Sequence, residues 1–281
     1  DIGVGAREIG FMFGQYKRIS NEFTGVLTGK GIGWGGSLIR PEATGYGTVY
    51  FAQNMLERKG KSIKDKIVLI SGSGNVAQYA LEKALSLGAR VVTVSDSGGF
   101  LYCKDGFNLK MLAYLKKLKN VKRGRLKEMI NEFNNLEFFE KKKPWSIKCD
   151  LALPCATQNE INEEDAKKLI NNGCILVSEG ANMPSTPKAI SIFQKSKILF
   201  APGKASNAGG VATSGLEMSQ NSLRMQWSRK EVYDKLQSIM KEIHEVCCKY
   251  GQDGDYIDYV KGANIGGFVK VADAMLDQGV V

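Results

Sequence analysis

Residues 67–77 run Ile-Val-Leu-Ile-Ser-Gly-Ser-Gly-Asn-Val-Ala. A short, mostly β-branched apolar run enters Gly72-x-Gly74-x-x-Ala77, and a helical apolar spacing begins directly after it. A strand that enters a glycine turn and leaves it as a helix commits the chain to a βα unit of a doubly wound sheet. Gly72 permits the tight turn, Gly74 lets the backbone come close to a ligand, and Ala77 lets the helix pack on the strand. The N–H groups of Asn75 and Val76 then stand at the positive end of a helix, where an anion such as a dinucleotide pyrophosphate is favoured. Alone, this fingerprint is a weak signal; its surroundings decide how far it is read.

The surroundings repeat the unit. Strand-like runs at 67–71, 90–95, 150–154, 174–178 and 198–201 alternate with helical patterns at 76–87, 109–119, 125–133, 163–171 and 186–194, and a short strand fits 136–139. Such alternation predicts an α/β fold with a doubly wound, mostly parallel sheet and helices on both faces. Runs such as VVTVS and CILVS suit strands buried on both sides. Ahead of the sheet, 3–20 reads as a helix, 21–36 as a glycine-broken loop and 44–58 as a helix. After Asn207, Gly209-Gly210 reads as a turn, 211–226 and 230–249 as helices, and 268–276 as a final helix. In 230–249, Val232, Leu236, Met240 and Ile243 share one helical face, and His244 is expected on the polar one. The glycine cluster places a domain boundary near Gly35–Gly36.

Composition narrows the function classes. The 281 residues are 43% hydrophobic and 24% charged, which suits a well-filled globular core. No apolar run reaches the roughly 18–20 residues that span a bilayer, so no membrane role is expected. The six cysteines form no C-x-x-C pair and His244 is the one histidine, so no metal is expected. Their scatter suits reduced thiols in an intracellular, cytoplasmic enzyme. The formal charge of +10 gathers at 116–127 and 141–143 without interleaved aromatics. That pattern is read as a solvated surface, part of which serves a cofactor phosphate, rather than as a nucleic-acid site. The chain opens on Asp1-Ile2-Gly3 without an initiator methionine and reads as a piece of something longer.

The long motifs carry more than the fingerprint. GGSLIRPEATGYGTVYF, SGSGNVAQYA, LPCATQNEI, EGANMP, APGKASNAGGVATSGLEMSQNS and GANIGGFVKVADAML follow one another in this order. The series resembles the hexameric glutamate dehydrogenases, closest to the NADP-specific type, over the whole chain. The resemblance implies reversible reductive amination of 2-oxoglutarate with ammonia and NADPH to L-glutamate, in a homo-oligomer, usually a homohexamer. It also implies an upstream substrate domain with a catalytic lysine, and a division of this chain into 1–36, the end of that domain; 37–222, a Rossmann-type dinucleotide domain; and 223–281, a long hinge helix and C-terminal helices that pack back on the substrate domain. NADP is the expected cofactor, ahead of NAD, and the chain alone is expected to bind it without turnover.

By the same resemblance, Asp1 stands at the position of a proton-shuttling aspartate. Ser214 and Val211 stand where the family contacts the substrate's distal carboxylate and lines its pocket, and Arg40 at the mouth of the cleft. Thr44 is expected at the nicotinamide amide, Asn182 and Asn207 near the nicotinamide and its ribose, and Gly72, Gly74, Asn75 and Val76 at the pyrophosphate. Asp96 lies 22 residues past Gly74, where an acid ordinarily takes a ribose 2′-hydroxyl and favours NAD. Ser97 beside it, with Lys119 and Lys122, aligns instead with the residues that NADP-type members turn toward the 2′-phosphate. Leucine, valine and phenylalanine dehydrogenases share the architecture, but a hydroxyl at Ser214 is wasted on an apolar side chain. A non-catalytic dinucleotide-binding module is the remaining alternative.

Overall fold

The 67–70 run becomes the central strand of a seven-stranded sheet in the computed structural model, which describes residues 3–279. The chain enters through helices α1 (Ala6–Ser20) and α2 (Ala43–Glu57). Strand β1 (Ile67–Ile70), helix α3 (Asn75–Ser86), strands β2 (Arg90–Asp96) and β3 (Gly99–Tyr102), helix α4 (Leu109–Lys117) and strand β4 (Glu137–Glu140) build one half of the sheet. Strand β5 (Leu151–Leu153), helix α5 (Glu163–Asn171), strand β6 (Leu176–Ser178), helix α6 (Pro187–Lys195) and strand β7 (Leu199–Ala201) build the other. Helices α7 (Gly203–Ser206), α8 (Gly209–Leu223) and α9 (Arg229–Gly251) follow. A two-residue-per-strand hairpin, β8 (Gln252–Asp253) and β9 (Tyr256–Ile257), leads to α10 (Tyr259–Gln278).

The strand order is β4-β3-β2-β1-β5-β6-β7. Strands β2, β1, β5, β6 and β7 run parallel, as expected of a doubly wound sheet. Alternate residues of β1 face opposite layers: Val68 and Ile70 join the core under α2, α3 and α9, and Leu69 joins the one under α5 and α6. From β1 the chain builds outward first through β2 and later through β5. The crevice at the carboxyl ends of β1 and β5 is therefore the topological switch point, where this architecture takes its ligand.

Several elements differ from the sequence expectations, each for a physical reason. Strand β3 was not expected; it turns back antiparallel on β2 through the tight Asp96–Gly99 connection and is extended by β4. The 125–133 pattern closes only as a 3₁₀ turn, Leu126–Asn131. Gly209-Gly210 is not a turn but the first residues of α8, laid so closely on α2 that a Cβ at Gly209 would collide with the Ala43 carbonyl. The last helix starts at Tyr259 rather than 268, because the Asp258 carboxylate caps the Val260 and Lys261 N–H groups, each at 3.0 Å. His244 is buried, not on a polar face: Val232, Leu236, Met240 and His244 step by four along one side of α9. Its Nε2 lies 3.1 Å from the Tyr259 hydroxyl, and burial pulls its pKa down to about 4. All six cysteines are free thiols and buried. Among the described residues, no helix is long and apolar enough to cross a membrane, and no cluster of metal-ligating side chains occurs.

Candidate functional site

The glycine turn lies where the strand order puts the crevice. Gly72 has φ +85°, a left-handed conformation that L side chains resist, and a Cβ there would stand 2.7 Å from the Cys155 carbonyl oxygen. Its N–H donates to Ser95 Oγ at 2.8 Å, which ties the turn to the end of β2. Gly74, at φ −80°, caps α3, and a Cβ there would meet nothing within 4 Å. The first intrahelical bond runs from Gln78 N to the Gly74 carbonyl. The N–H groups of Asn75, Val76 and Ala77 precede it, and no side chain caps them. Asn75 does not compete for this space, since its Nδ2 donates to the Pro41 carbonyl at 2.6 Å. A bare backbone, three free donors and open space at Gly74 fit a phosphate group.

At the end of β2, each Asp96 carboxylate oxygen accepts one backbone N–H, from Gly98 at 2.8 Å and from Leu126 at 3.0 Å. The second bond draws the 123–126 segment over the strand end. It brings Arg125, which the sequence reading did not single out, to Ser97: its guanidinium donates to Ser97 Oγ at 2.8 Å. Lys119 donates instead to the Gly124 carbonyl at 2.9 Å, and Lys122 lies over the Tyr114 ring at 5.7 Å. Ser97 and Arg125 are thus joined directly, while Lys119 shapes the turn that presents Arg125.

The opposite wall comes from the turns after β5 and β6. The Ala156 and Thr157 N–H groups donate to Glu160 Oε1 at 3.1 and 3.4 Å, and the Cys155 N–H donates to Ser71 Oγ at 2.9 Å. Burial pushes the Glu160 carboxyl up to about 7, against the opposing pull of the Ser71 hydroxyl, these N–H groups and the Lys143 ammonium. Burial also raises the Cys155 thiol far above its usual range, so it packs rather than reacts. Asn207 Nδ2 donates to Asn182 Oδ1 at 2.8 Å, so two expected cofactor residues meet. Buried Glu179 holds their turns by accepting from Gly203 N at 2.7 Å and Ser185 N at 3.2 Å.

Glu160 gives a pH prediction. A carboxyl whose pKa is raised on folding contributes stability that is complete below its unfolded pKa of about 4.5 and is lost as pH rises through about 7. Glu160→Gln keeps an acceptor for both N–H groups but cannot ionise. Its melting temperature is expected to match the parent near about pH 5 and exceed it near about pH 8. A difference that stays constant between these pH values would remove Glu160 as the titrating group.

The third cluster stands where α8 meets α2. Arg40 Nε donates to Ser214 Oγ at 2.8 Å, and Thr28 Oγ1 lies 2.9 Å from the same oxygen. Burial lowers the pKa of the Arg40 guanidinium, and the negative charge of Glu217 opposes the shift. Thr44, on the first turn of α2, packs its hydroxyl against Gly210. Val211 is exposed beside them. Arg40, Thr44, Val211 and Ser214 are therefore gathered at one place. The Asn75–Pro41 bond links that place to the glycine turn. Asp1 lies outside the described residues.

Thr28, Arg125, Glu160 and the buried Lys30–Glu217 pair are the functional candidates missed in the sequence. Only the Arg125 cation gave a local signal, as part of the basic run.

Residues 35–279 match a family model described as Glutamate/Leucine/Phenylalanine/Valine dehydrogenase. The NAD(P)-specific glutamate dehydrogenase of Xylanibacter ruminicola is 61% identical over 281 residues, and the NADP-specific glutamate dehydrogenase of Haemophilus influenzae is 58% identical over 282 residues. Each match covers 100% of this chain and 63% of the relative. The crystal structure of Plasmodium falciparum glutamate dehydrogenase superposes with a TM-score of 0.96 at 49% identity, covering 100% of this chain and 61% of that one. The chain spans about 63% of the length of the curated relatives it matches.

Proposed function

Since the chain belongs to the Glutamate/Leucine/Phenylalanine/Valine dehydrogenase family, we propose that it is the cofactor-binding part of a glutamate dehydrogenase that interconverts 2-oxoglutarate, ammonia and NADPH with L-glutamate and NADP. The Arg40–Ser214–Thr28 cluster carries this reading, because a half-buried cation with hydroxyl groups suits a second carboxylate and not an alkyl side chain. A bound nicotinamide supplies the hydride. Gly72, Gly74 and the N–H groups of Asn75 and Val76 hold the pyrophosphate. Thr44, Asn182 and Asn207 orient the nicotinamide end, Arg40 and Ser214 orient the substrate, and Val211 lines its pocket. Asp1 moves the proton when ammonia adds and water leaves.

The domain division at 36 and 222 is part of the same proposal, as is assembly into a homohexamer. Phe11 and Ile19 on α1 and Phe268 and Met275 on α10 are exposed apolar residues, which suits segments completed by further polypeptide in the longer relatives. Comparing turnover of glutamate and leucine by the full-length polypeptide that carries this chain tests the substrate. Faster turnover of leucine would reject the pocket assignment.

NADP as the preferred cofactor rests on the Ser97–Arg125 pair, since the two relatives described above differ in the cofactors they are named for. Arg125→Ala is expected to weaken NADPH binding by about tenfold to a hundredfold, the worth of a charge-assisted phosphate contact. NADH binding is expected to stay unchanged. Fluorescence titration with both nucleotides reads the ratio, and an equal loss for both would assign Arg125 a general structural role.

A further inference from the structure

One face of α8 is tied to the segment before α2 by a ladder of polar contacts that neither the turn nor the cofactor wall requires. Its rungs are Ser214 to Thr28 at 2.9 Å, Gln220 Nε2 to Ser37 Oγ at 2.8 Å and Asn221 Nδ2 to the Gly35 carbonyl at 2.7 Å. The central rung is an ion pair between Lys30 and Glu217, 2.7 Å long, with both side chains fully buried. The Glu217 carboxylate also accepts the backbone N–H groups of Gly29, Lys30 and Ser37 at 3.1–3.4 Å. The Lys30 ammonium also donates to the Leu27 carbonyl at 2.8 Å, where Leu27 holds φ +56°. Every strong donor and acceptor of the pair is therefore used.

A buried ion pair is an unreliable source of stability, because desolvating two charges offsets most of their attraction. Its value lies in geometry: a carboxylate that gathers three N–H groups and an ammonium permits one arrangement of the backbone around it. Thr28 directly precedes the first of these N–H groups, and Arg40 lies three residues after the last. Ser214 lies one turn before Glu217 on the same helix. All three members of the hydroxyl–guanidinium cluster are thus within three residues of an atom bonded to this pair.

We propose that Lys30 and Glu217 are positioning residues for the dicarboxylate pocket, holding Thr28 and Arg40 against Ser214 by anchoring the backbone around Thr28 and ahead of Arg40. The proposal rests on the reading that Arg40 and Ser214 receive the substrate's distal carboxylate.

The test uses the full-length polypeptide and four variants. Lys30→Met with Glu217→Gln removes both charges together and leaves no unpaired buried ion. It is expected to fold, to raise KM for 2-oxoglutarate about tenfold, and to change KM for NADPH and kcat little, because a loosened pocket weakens substrate and transition state alike. If it does not fold, Glu217→Asp carries the test: it keeps the charge and withdraws the carboxylate from the N–H groups, with the same rise expected. Lys30→Arg, which keeps the cation, is expected to recover most of the parent KM. A folded double variant, or a folded Glu217→Asp, with an unchanged KM for 2-oxoglutarate overturns the proposal. Ser214→Ala separates the two failures. If it raises this KM while the Lys30 and Glu217 variants do not, the pocket reading stands and the positioning role falls. If Ser214→Ala has no effect either, the pocket reading itself falls.

Discussion

Gly72→Val is expected to abolish measurable dinucleotide binding and to lower the melting temperature, whereas Gly74→Ala should weaken binding while leaving the melting temperature nearly unchanged. The two glycines share one fingerprint but meet different physical demands. Gly72 is at φ +85°, and its absent Cβ would stand 2.7 Å from the Cys155 carbonyl oxygen and 3.0 Å from the carbonyl carbon. A β-branched residue there combines left-handed strain with overpacking against backbone that cannot rotate away. Together these cost about 3 kcal/mol, or roughly 6–10 °C in a domain of this size. The displaced turn also carries the N–H groups of α3 away from the phosphates, so binding is expected to fall by more than about a hundredfold. Gly74 has a negative φ and open space where its Cβ would be, so alanine meets no clash and costs only the weaker N-cap preference, about 0.5–1 kcal/mol. It matters only if a ligand occupies that space. Scanning calorimetry and nucleotide fluorescence titration on both variants separate the demands. Unchanged affinity in folded Gly74→Ala would mean that no phosphate approaches the turn.

The same contrast explains what was legible in the sequence. The turn, the parallel strands and most of the helices between them are local patterns, and residues 67–87 show them at nearly the positions where β1 and α3 form. Strand β3 was missed because four residues, Gly99–Tyr102, are too few for a period to show, and they pair only because β2 is already beside them. His244 was misplaced because a histidine looks polar until the Tyr259 hydroxyl, 15 residues on, is brought to its ring. Arg125 lay hidden in a basic run that reads as solvated; the bond from its neighbour Leu126 to Asp96 selects it. The Lys30–Glu217 pair joins residues 187 apart, and no local pattern marks either one. Ser214, Arg40 and Thr44 were named from long motifs, and the fold then brought them together, although their separation in sequence alone gives no reason for them to meet. Motifs therefore reached side chains that the fold gathers at one place, while their bonding partners emerged only from the packing.

Ser214→Val should decide what the third cluster is for. The substitution removes a half-buried hydroxyl whose oxygen accepts from Arg40 Nε at 2.8 Å and lies 2.9 Å from Thr28 Oγ1. Arg40 is left with an unpaired donor in a site that already disfavours its charge by burial. If the pocket receives the distal carboxylate of 2-oxoglutarate, the variant loses a hydrogen bond to a charged group, about 2–3 kcal/mol or roughly 30- to 150-fold in kcat/KM. The loss should fall mainly on KM, because the distal carboxylate is remote from the reacting carbon and is held equally in the ground and transition states. A branched-chain keto acid such as 4-methyl-2-oxopentanoate has no second carboxylate to lose, so its kcat/KM should hold or rise as the pocket becomes less polar. The ratio of the two specificity constants, measured on the full-length polypeptide, therefore moves strongly toward the apolar substrate. An equal decline for both would show that Ser214 holds the backbone rather than the substrate, and the cluster would then belong with Lys30 and Glu217 as architecture.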